Sequence, residues 1–319
     1  MRLPQPLRFV LRLCIAVAIF LGLLAITSRI VMPKNNQDEF GQMDSAANGI
    51  LGEPADSIDV VFLGDSESYT AFSPLQLWHE RGITSYVCGT AGQPLPYTYS
   101  LLGKALSKQS PNVVVLETNC LFRDFTPGFA LLRAAQDAFP VLEYHNRWKS
   151  LRVEDLTTAP RTTWTHSLKG FSIKRDTVAA DASDWMAPSD ELADIPILNR
   201  WYLEQINRLC REHGATLVLV STPSTVNWNT PRHNRVAQLA ADLDIAYYDL
   251  NTGSTRVDID WTQDTCDGGD HLNIRGAQKV TTAMGSILGE RSELTSHAGD
   301  GAYVSWDEAY AVYARQLEQ

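Results

Sequence analysis

Five short apolar runs recur along the chain, and segments with helical periodicity lie between them. The runs cover residues 58–63, 84–88, 112–118, 215–222 and 245–250. Capping residues, periodic apolar positions and terminal glycines predict helices at 73–82, 94–109, 198–214, 232–244 and 271–290. Strands that alternate with helices in this way are typical of a doubly wound parallel sheet. We therefore expect an α/β fold, a three-layer sandwich with a central, mostly parallel sheet.

The charge and cysteine content of the chain limit which partners and metal sites are expected. Of the 319 residues, 27 are Lys or Arg and 37 are Asp or Glu, which gives a formal net charge of −10. A nucleic-acid-binding protein needs a basic face for phosphates, so no nucleic-acid partner is expected. The five cysteines form no C-x-x-C pair, and their spacing suits neither a zinc site nor a dense disulfide framework.

The amino-terminal region predicts a membrane anchor. Arg2, Arg8 and Arg12 precede an apolar stretch over residues 13–27, and basic residues on this side place the amino end in the cytoplasm. The uncharged window is short for a spanning helix, which needs about 20 residues. A cleaved signal peptide is the alternative, although no convincing A-x-A cleavage site follows. We expect an uncleaved, single-pass anchor in the cell membrane, with the rest of the chain outside the cytoplasm.

The chain divides into three regions on this pattern. Residues 1–33 are the expected cytoplasmic amino terminus and transmembrane anchor, residues 34–56 a polar linker rich in Gly, Asn and Asp, and residues 57–319 the α/β domain. Residues 121–196 interrupt the strand–helix alternation and form an insertion rich in aromatic residues. Insertions of this length form lids or substrate walls, or an excursion with a small core of its own. The amphipathic tail, residues 292–319, is expected to pack back on the domain.

Residues that could take part in catalysis follow the predicted strands. Ser66 follows the first strand, Gly89 and Gly92 the second, and Asn119 the third, while His271 comes after the last strand and just before the final helix. Each has a purely structural interpretation as a helix cap or turn residue. In open parallel sheets, however, ligands bind outside the carboxyl ends of the strands. We therefore expect these residues to gather at one edge of the sheet.

The motifs around these positions resemble the blocks of the SGNH, or GDSL, hydrolase family over roughly residues 58–288. "GDSES" is similar to the nucleophile block, which implies Ser66 as nucleophile and its N–H as an oxyanion donor. "GTAGQ" is similar to the block whose Gly offers a backbone N–H to the oxyanion, and Gly92 is favoured with Gly89 in reserve. "LETN" is similar to the block that supplies an oxyanion-binding amide, Asn119, although Glu117 and Cys120 replace the Gly and Asp of the usual Gly-x-Asn-Asp.

The segment "DGGDHLN" resembles the Asp-x-x-His block and implies His271 as the general base. Gly268 stands where the family has its acid, and both Asp267 and Asp270 are candidates for that role. Asp267 is favoured because a bulge at Gly268 and Gly269 would restore its reach, whereas Asp270 is well placed to cap the last helix. The two carboxylates and the imidazole also suggest a metal site, but no second ligand cluster accompanies them, so no metal is expected.

The resemblance implies a Ser-dependent esterase or O-acyltransferase that works through an acyl-enzyme and needs no cofactor. A Ser hydroxyl is a weak nucleophile and requires an adjacent base. The anchor suggests a membrane-anchored, extracytoplasmic bacterial branch, loosely similar to the D-alanyl transfer protein of teichoic-acid synthesis and the alginate O-acetylation proteins. The expected substrate is an acylated glycan or a small ester of the cell envelope. The alternative is a non-catalytic envelope protein that keeps the fold for binding or assembly.

Overall fold

A five-stranded parallel sheet forms the centre of the protein. The computed structural model describes residues 4–318. Its strands are β1 (Val60–Gly64), β2 (Ser85–Gly89), β3 (Val113–Glu117), β4 (Thr216–Ser221) and β5 (Ala246–Asp249). They lie in the order β2-β1-β3-β4-β5, and every neighbouring pair is parallel. The predicted α/β fold with a parallel central sheet is confirmed, and each predicted strand agrees within two residues at both ends.

Helices connect and cover the strands. They are α1 (Gln5–Val31), α2 (Ser45–Asn48), α3 (Ser66–Ala71), α4 (Pro74–Arg81), α5 (Leu95–Leu106), α6 (Pro127–Ala138), α7 (Val141–Tyr144), α8 (Val153–Thr157), α9 (Ile197–Glu212), α10 (Thr230–Leu243), α11 (Ile274–Gly289) and α12 (Val304–Leu317). Short 3₁₀ helices include Gly49–Gly52, Thr118–Phe122 and His145–Ser150. The helices predicted from periodicity are present as α4, α5, α9, α10 and α11.

The sheet is buried on both faces, which explains its nearly continuous apolar strands. Val61 and Leu63 of β1 belong to the core layer that α5, α9 and α10 complete. Val60 and Phe62, which alternate with them, belong to the opposite layer, where α11 packs against α3 and α4. The result is three layers, helix–sheet–helix.

The order in which the chain connects the strands produces a crevice near the middle of the sheet. From β1 the chain passes through α3 and α4 to β2 on one side, and then crosses back through α5 to β3 on the other side. The crossovers therefore leave β1 and β3 in opposite directions, and their carboxyl ends border a crevice of the kind that binds ligands in doubly wound folds. Ser66 follows β1 and Asn119 follows β3, so both lie at this crevice.

The segment 34–56 differs from the polar linker predicted for it. Ala47 and Ile50 are each only 1% exposed and belong to the main core. The Tyr86 hydroxyl donates to the carbonyl oxygen of Ala46 at 2.8 Å, which fixes the segment to β2. It packs because its few apolar residues occur among small Gly, Asn and Ala residues, which allow close approach. The Gly and Asn content that suggested a linker instead serves short turns and helices.

The amino-terminal helix α1 is long and apolar. Its 27 residues include an 18-residue window with a mean hydropathy of 2.8, and none of that window is buried inside the protein. A helix of this length and composition can cross a membrane, although a signal sequence passes the same test. Its last turns are different, because Ser28 and Val31 are buried against the domain.

The carboxyl-terminal tail packs on the domain as the sequence predicts. Trp306 and Tyr313 of α12 are almost fully buried, and α12 lies against α4. The Trp78 indole N–H donates to Asp307 at 3.0 Å and the Ser73 hydroxyl donates to Tyr313 Oη at 3.1 Å. This helix therefore braces the connection between α3 and α4.

Candidate active site

Ser66 stands at the turn from β1 into α3. The residue before it, Asp65, caps α3 by accepting the Glu67 N–H on Oδ1 at 3.1 Å. Ser66 therefore does not cap the helix, which was the structural interpretation of this motif. Ser68 is fully buried and donates its hydroxyl to the Asp65 carbonyl oxygen at 2.7 Å. Ser66 stands directly after β1, where the strand ends at the edge of the sheet, whereas the Ser68 hydroxyl is bonded to the turn that begins α3.

The structure pairs His271 with Asp267. Asp267 Oδ2 lies 2.6 Å from His271 Nδ1, and its other oxygen accepts the His271 backbone N–H at 2.7 Å. Because an ionised carboxylate only accepts, Nδ1 carries the proton and Nε2 is left as the basic nitrogen. Nε2 is buried and has no hydrogen-bond partner within residues 4–318. Asp270 Oδ2 is farther from the ring, 3.7 Å from Nδ1.

Two glycines make the Asp267–His271 pairing sterically accessible. Gly268 and Gly269 have φ angles of +83° and +97°, a region that other residues rarely adopt. The cap predicted for Asp270 is wrong, because Asn273 caps α11 by accepting the N–H groups of Arg275 and Gly276. The helix begins three residues later than the sequence suggested, and the nearer Asn side chain takes the capping position.

Asn227, in the loop after β4, connects the turn that bears Ser66 to the loop of residues 266–271, which we call the histidine loop. Its side-chain amide donates to Glu67 Oε1 at 2.7 Å and also to Asp270 Oδ1. Glu67 follows Ser66 and Asp270 precedes His271, so one amide joins the neighbours of both. In the same loop, the Ser224 hydroxyl is within 3.0 Å of the carbonyl oxygens of Gly269 and Asp270.

No hydrogen bond joins Ser66 to His271 in the part of the chain that the structure describes, since Nε2 is without a partner. Their supporting elements, α3 and α11, nevertheless pack against each other. Catalytic hydrogen bonds are often long in the absence of substrate and tighten in the substrate complex. The structure therefore pairs an acid with a histidine in the loop before α11, and α11 packs on the helix that begins with Ser66.

The groups predicted as oxyanion donors differ in how far other parts of the protein already bind or cover them. The Asn119 amide donates to Asp65 Oδ2 at 2.9 Å, and its oxygen accepts from Arg232 at 2.9 Å. One of its two amide hydrogens is thus committed, and Arg232 fixes which way the amide points. Gly92 is exposed, with φ +60° and open space around it. Gly89 is packed instead, because a Cβ there would collide with Ser68 Oγ.

Buried carboxyl groups surround the turn that bears Ser66. Asp65 is fully buried and forms an ion pair with Arg123 at 2.7 Å. Burial, with the nearby Glu117 and Asp65 charges, raises the pKa of Glu67 well above its usual value. Burial, together with the Asp65 charge, raises the pKa of Glu117 to about 8. Glu117 is therefore largely protonated at pH 7, and burial favours the neutral form of Glu67 as well, which reduces the repulsion among these carboxyl groups.

Glu117 occupies the position where the family pattern has Gly. It accepts the Asn119 N–H at 2.9 Å and thereby caps the 3₁₀ helix Thr118–Phe122. Its Cβ lies 2.8 Å from where a Cβ would be at Gly64, so the glycine of "GDS" makes room for it. Glu117 therefore departs from the Gly of the family pattern, but it holds the backbone at Asn119 in place.

The insertion lines one side of the crevice. Its Ser172 N–H donates to the Tyr69 carbonyl oxygen on α3 at 2.8 Å. Farther along, the Ala180 N–H donates to Trp261 O at 2.8 Å, and Ala180 faces Gly269. A cavity of about 310 Å³ lies next to this wall, lined by Ala182, Trp185, Met186, Asn251, Thr252, Arg256 and Trp261. Part of the insertion is therefore a wall beside the histidine loop.

The loop after β4 and Arg123 were not among the site residues predicted from the sequence. Asn227 and Arg232 stand in no recognisable motif, and only tertiary structure brings them to the crevice. Glu67 carried a weak signal, since a charged residue directly after a buried strand and a serine must find partners on folding.

A second His–Asp pair lies at the end of β5. His233 Nδ1 is 2.6 Å from Asp249 Oδ2, and His233 was not among the site residues predicted from the sequence. Asp249 also accepts from the Trp228 indole and the Tyr247 hydroxyl, each at 3.0 Å. This carboxylate is the centre of a hydrogen-bond network that holds loops together, and the pair serves as a natural control for His271.

The acidic histidine loop also meets the geometric minimum for metal ligands. One ligand atom from each of Asp267, Asp270 and His271 falls within a 4.8 Å group. Both Asp267 oxygens already bind His271, and one Asp270 oxygen binds Asn227. Within residues 4–318 no fourth His, Cys, Asp or Glu joins the group. These bonds favour a positioned imidazole over a metal centre.

Comparison with known proteins gives weak similarities of one kind. No protein-family model matches the chain, and no curated protein matches it. Among solved structures, it is similar to the lipase/acylhydrolase from Enterococcus faecalis, at 11% identity and a TM-score of 0.43 over 76% of this chain and 100% of that one.

Two further solved structures are similar at the same level. The psychrotrophic esterase from Pseudoalteromonas sp. has 11% identity and a TM-score of 0.37, over 72% of this chain and 95% of that one. A GDSL-like lipase from Bacteroides thetaiotaomicron has 12% identity and a TM-score of 0.36, over 72% and 86% of the two chains. TM-scores below 0.5 carry no conclusion about activity, so the functional argument depends on the residues of the crevice.

Proposed function

We propose that the chain is a membrane-anchored, extracytoplasmic serine esterase or O-acyltransferase of the SGNH type, with Ser66 as nucleophile. The observation that carries the proposal is the Asp267–His271 pair, whose Nε2 is buried and without a partner. A buried polar atom without a hydrogen bond destabilises the fold, so a functional role explains why this one is kept. Asn227 joins its loop to the turn that bears Ser66.

The proposed reaction forms an ester on the enzyme. Ser66 Oγ attacks the acyl carbon while His271 Nε2 takes the hydroxyl proton, and Asp267 stabilises the imidazolium. The N–H groups of Ser66 and Gly92 and the Asn119 amide stabilise the oxyanion, and each donor lowers the barrier by roughly 3–4 kcal/mol. Collapse expels the substrate alcohol, which takes the proton from Nε2 and leaves an acyl-Ser66.

Water or a second hydroxyl then completes the reaction. His271 takes a proton from the incoming oxygen, which attacks the acyl carbon, and the Ser66 oxygen leaves with that proton. Water yields a free acid, and a sugar hydroxyl yields a new ester. We infer that the substrate is an acyl ester of an envelope polymer or glycan, because α1 would hold the domain at the membrane and the aromatic wall at Trp185 and Trp261 borders an open cavity.

The nucleophile is tested with two serine variants in the same helix. Ser66→Ala is expected to lower the rate of p-nitrophenyl acetate hydrolysis by several orders of magnitude. Ser68→Ala is the matched control and is expected to retain most of the activity, because the Ser68 hydroxyl is bonded to Asp65 O. Full activity in Ser66→Ala would assign the nucleophile elsewhere.

A non-catalytic envelope protein is the second candidate, and a specific observation favours it. The Asn119 amide is held by Asp65, and Ser66 is not bonded to His271. If these arrangements persist with substrate, the chain binds acylated polymers without turnover. A wild-type protein that is folded, hydrolyses no short aryl ester and transfers no acyl group would support this candidate.

A further inference from the structure

The first half of the insertion is built around the end of α1. We define the membrane-proximal segment as residues 141–157, which comprises α7, the 3₁₀ helix His145–Ser150 and α8. All three pack on α1. The Val141 N–H donates to Ser28 Oγ at 3.1 Å, and Arg147 donates to the Val31 carbonyl oxygen at 2.6 Å. The segment is therefore fixed to the last two turns of α1.

This segment has its apolar side chains on the outside. Val153 is 75% exposed, Trp148 65% and Leu156 62%, although soluble surfaces rarely expose large apolar residues in such succession. The apolar exposed residues of the segment are Leu142, Trp148, Leu151, Val153 and Leu156. Its charged Asp155, in contrast, is buried and paired with Arg147 at 3.1 Å. Large apolar side chains thus face outward in this segment, while one of its charged side chains, Asp155, is buried.

The position of the segment along α1 indicates what covers these side chains. The 16 residues between Arg12 and Arg29 span about 24 Å of helix, which is less than the roughly 30 Å of bilayer hydrocarbon. Arg29 must therefore lie at or near the outer boundary of the hydrocarbon. The segment is attached at Ser28 and Val31, on either side of that level.

The polar residues of the segment also suit a membrane boundary. Lys149 and Arg152 are exposed between the apolar side chains, and Lys149 Nζ lies 5.9 Å from the centroid of the Trp148 ring. Trp at the headgroup level with Lys or Arg reaching outward is the usual composition of the interface.

We propose that residues 141–157 dock into the outer surface of the bilayer that α1 crosses, with Trp148, Val153 and Leu156 immersed at the headgroup–acyl boundary. The proposal rests on the proposed membrane anchor. An interfacial helix of this kind immerses its apolar face by about 5–10 Å. The anchor then becomes a two-part attachment, and the sheet cannot rotate freely about α1. The carboxyl-end crevice is held at one orientation and height above the membrane.

The test uses the full chain, with a polarity-sensitive bimane label on single cysteines. Cys14 and Cys266 are replaced by Ser in the label-site variants, which leaves the buried Cys88, Cys120 and Cys210. The variants are Leu156→Cys, Val153→Cys as a second site, and Val226→Cys as a control, since Val226 is 61% exposed and lies beside the crevice. Each protein is reconstituted in vesicles of phosphatidylethanolamine and phosphatidylglycerol, with or without a lipid that carries a nitroxide high on its acyl chain.

The nitroxide lipid is expected to quench the label at Leu156→Cys and Val153→Cys several-fold more than at Val226→Cys. A label on Cys14 of a chain in which only Cys266 is replaced by Ser reports separately on α1. Quenching at Cys14 with none at residues 153 and 156 would overturn the docking and leave the anchor standing. Absence of quenching at Cys14 as well would overturn both. A blue-shifted but unquenched label at Leu156→Cys would show a protein cover instead of lipid, and equal quenching at Val226→Cys would show contact that is not specific to the segment.

Discussion

Asp267 and Asp270 flank the same histidine but form different bonds, so their substitution should have different consequences. Asp267 holds Nδ1, whereas Asp270 binds the amide of Asn227. We expect Asp267→Asn to lower kcat by about 10⁴, because the amide favours the wrong imidazole tautomer. Asp270→Asn should lower kcat much less. Steady-state ester hydrolysis measures both, with thermal unfolding as the check on folding, and the reverse order of effects would assign the acid to Asp270.

The buried Glu117 should make stability depend on pH. Its pKa is raised from 4.5 to about 8 by burial and by the Asp65 charge. Below pH 4.5 the group is protonated in both the folded and the unfolded chain. Between pH 4.5 and 8 the unfolded chain releases this proton and the folded one keeps it, so the free energy of unfolding falls as pH rises.

Glu117→Gln should reduce that fall, because the amide does not titrate. Urea unfolding at several pH values from 5 to 8 measures the slope. Glu204→Gln, which removes an exposed glutamate of α9, is the control and should leave the slope unchanged. A slope in Glu117→Gln equal to that of the wild type would show that another group is responsible.

Individual site residues differed in how visible they were in the sequence. Ser66, Asn119 and His271 could be proposed because a strand end or a helix start marks each position. The preference for Asp267 over Asp270 came from the conformational freedom of the two glycines. Both glycines have positive φ angles, and Asp267 is the carboxylate bonded to His271 Nδ1, while its role as the acid stays a prediction. Asn227 could not be proposed, because its role depends on contacts across 160 residues to Glu67 and 43 residues to Asp270.

At the scale of elements and loops, the loop that follows β4 has a testable role in positioning Ser66 and His271. Asn227 joins the turn of α3 to the loop before α11, so its loss should let Ser66 and His271 drift apart. A misplacement of about 1 Å lowers rates by about 10²-fold. We therefore expect Asn227→Leu to lower kcat by about that factor, with a smaller change in KM.

A control from the neighbouring helix separates positioning from stability. The Asn234 side chain of α10 likewise donates twice, to the carbonyl oxygens of Ser189 and Glu191, but it lies outside the crevice residues. Asn234→Leu should lower the unfolding temperature without the loss of kcat. Partial rescue of kcat by Asn227→Gln would support positioning by the amide. A kcat that falls equally in both Leu variants would contradict it.

The elements themselves were predictable where local sequence and burial agree. The strands are buried on both faces, so their apolar runs stand out, and α9 and α11 carry clear apolar periodicity. The segment 34–56 was misjudged because its short helices bury only a few residues, Ala47 and Ile50 among them. Its packing depends on Tyr86 and Lys169, which lie far away in sequence. Composition cannot indicate such contacts.

For the molecule as a whole, the end of α1 favours a retained anchor over a cleaved leader. Ser28 and Val31 are buried and bonded to the insertion, so cleavage before Lys34 would remove partners of the fold. We expect the membrane-bound protein to keep α1. Mass measurement of the chain extracted from membranes by detergent, after an alkaline wash, should match the uncleaved sequence. A mass that lacks the first 30 or so residues would contradict the retained anchor.

Covalent labelling of the whole protein with a fluorophosphonate examines the proposed catalytic centre. We expect the wild-type chain to react at Ser66, as mapped by mass spectrometry of its peptides. His271→Gln should abolish labelling because no base remains for Ser66, and His233→Gln, which disrupts the other His–Asp pair, should retain it. A folded wild-type protein that is not labelled at Ser66, or that is labelled equally well in His271→Gln, would contradict the assignment of a His271-activated Ser66 nucleophile.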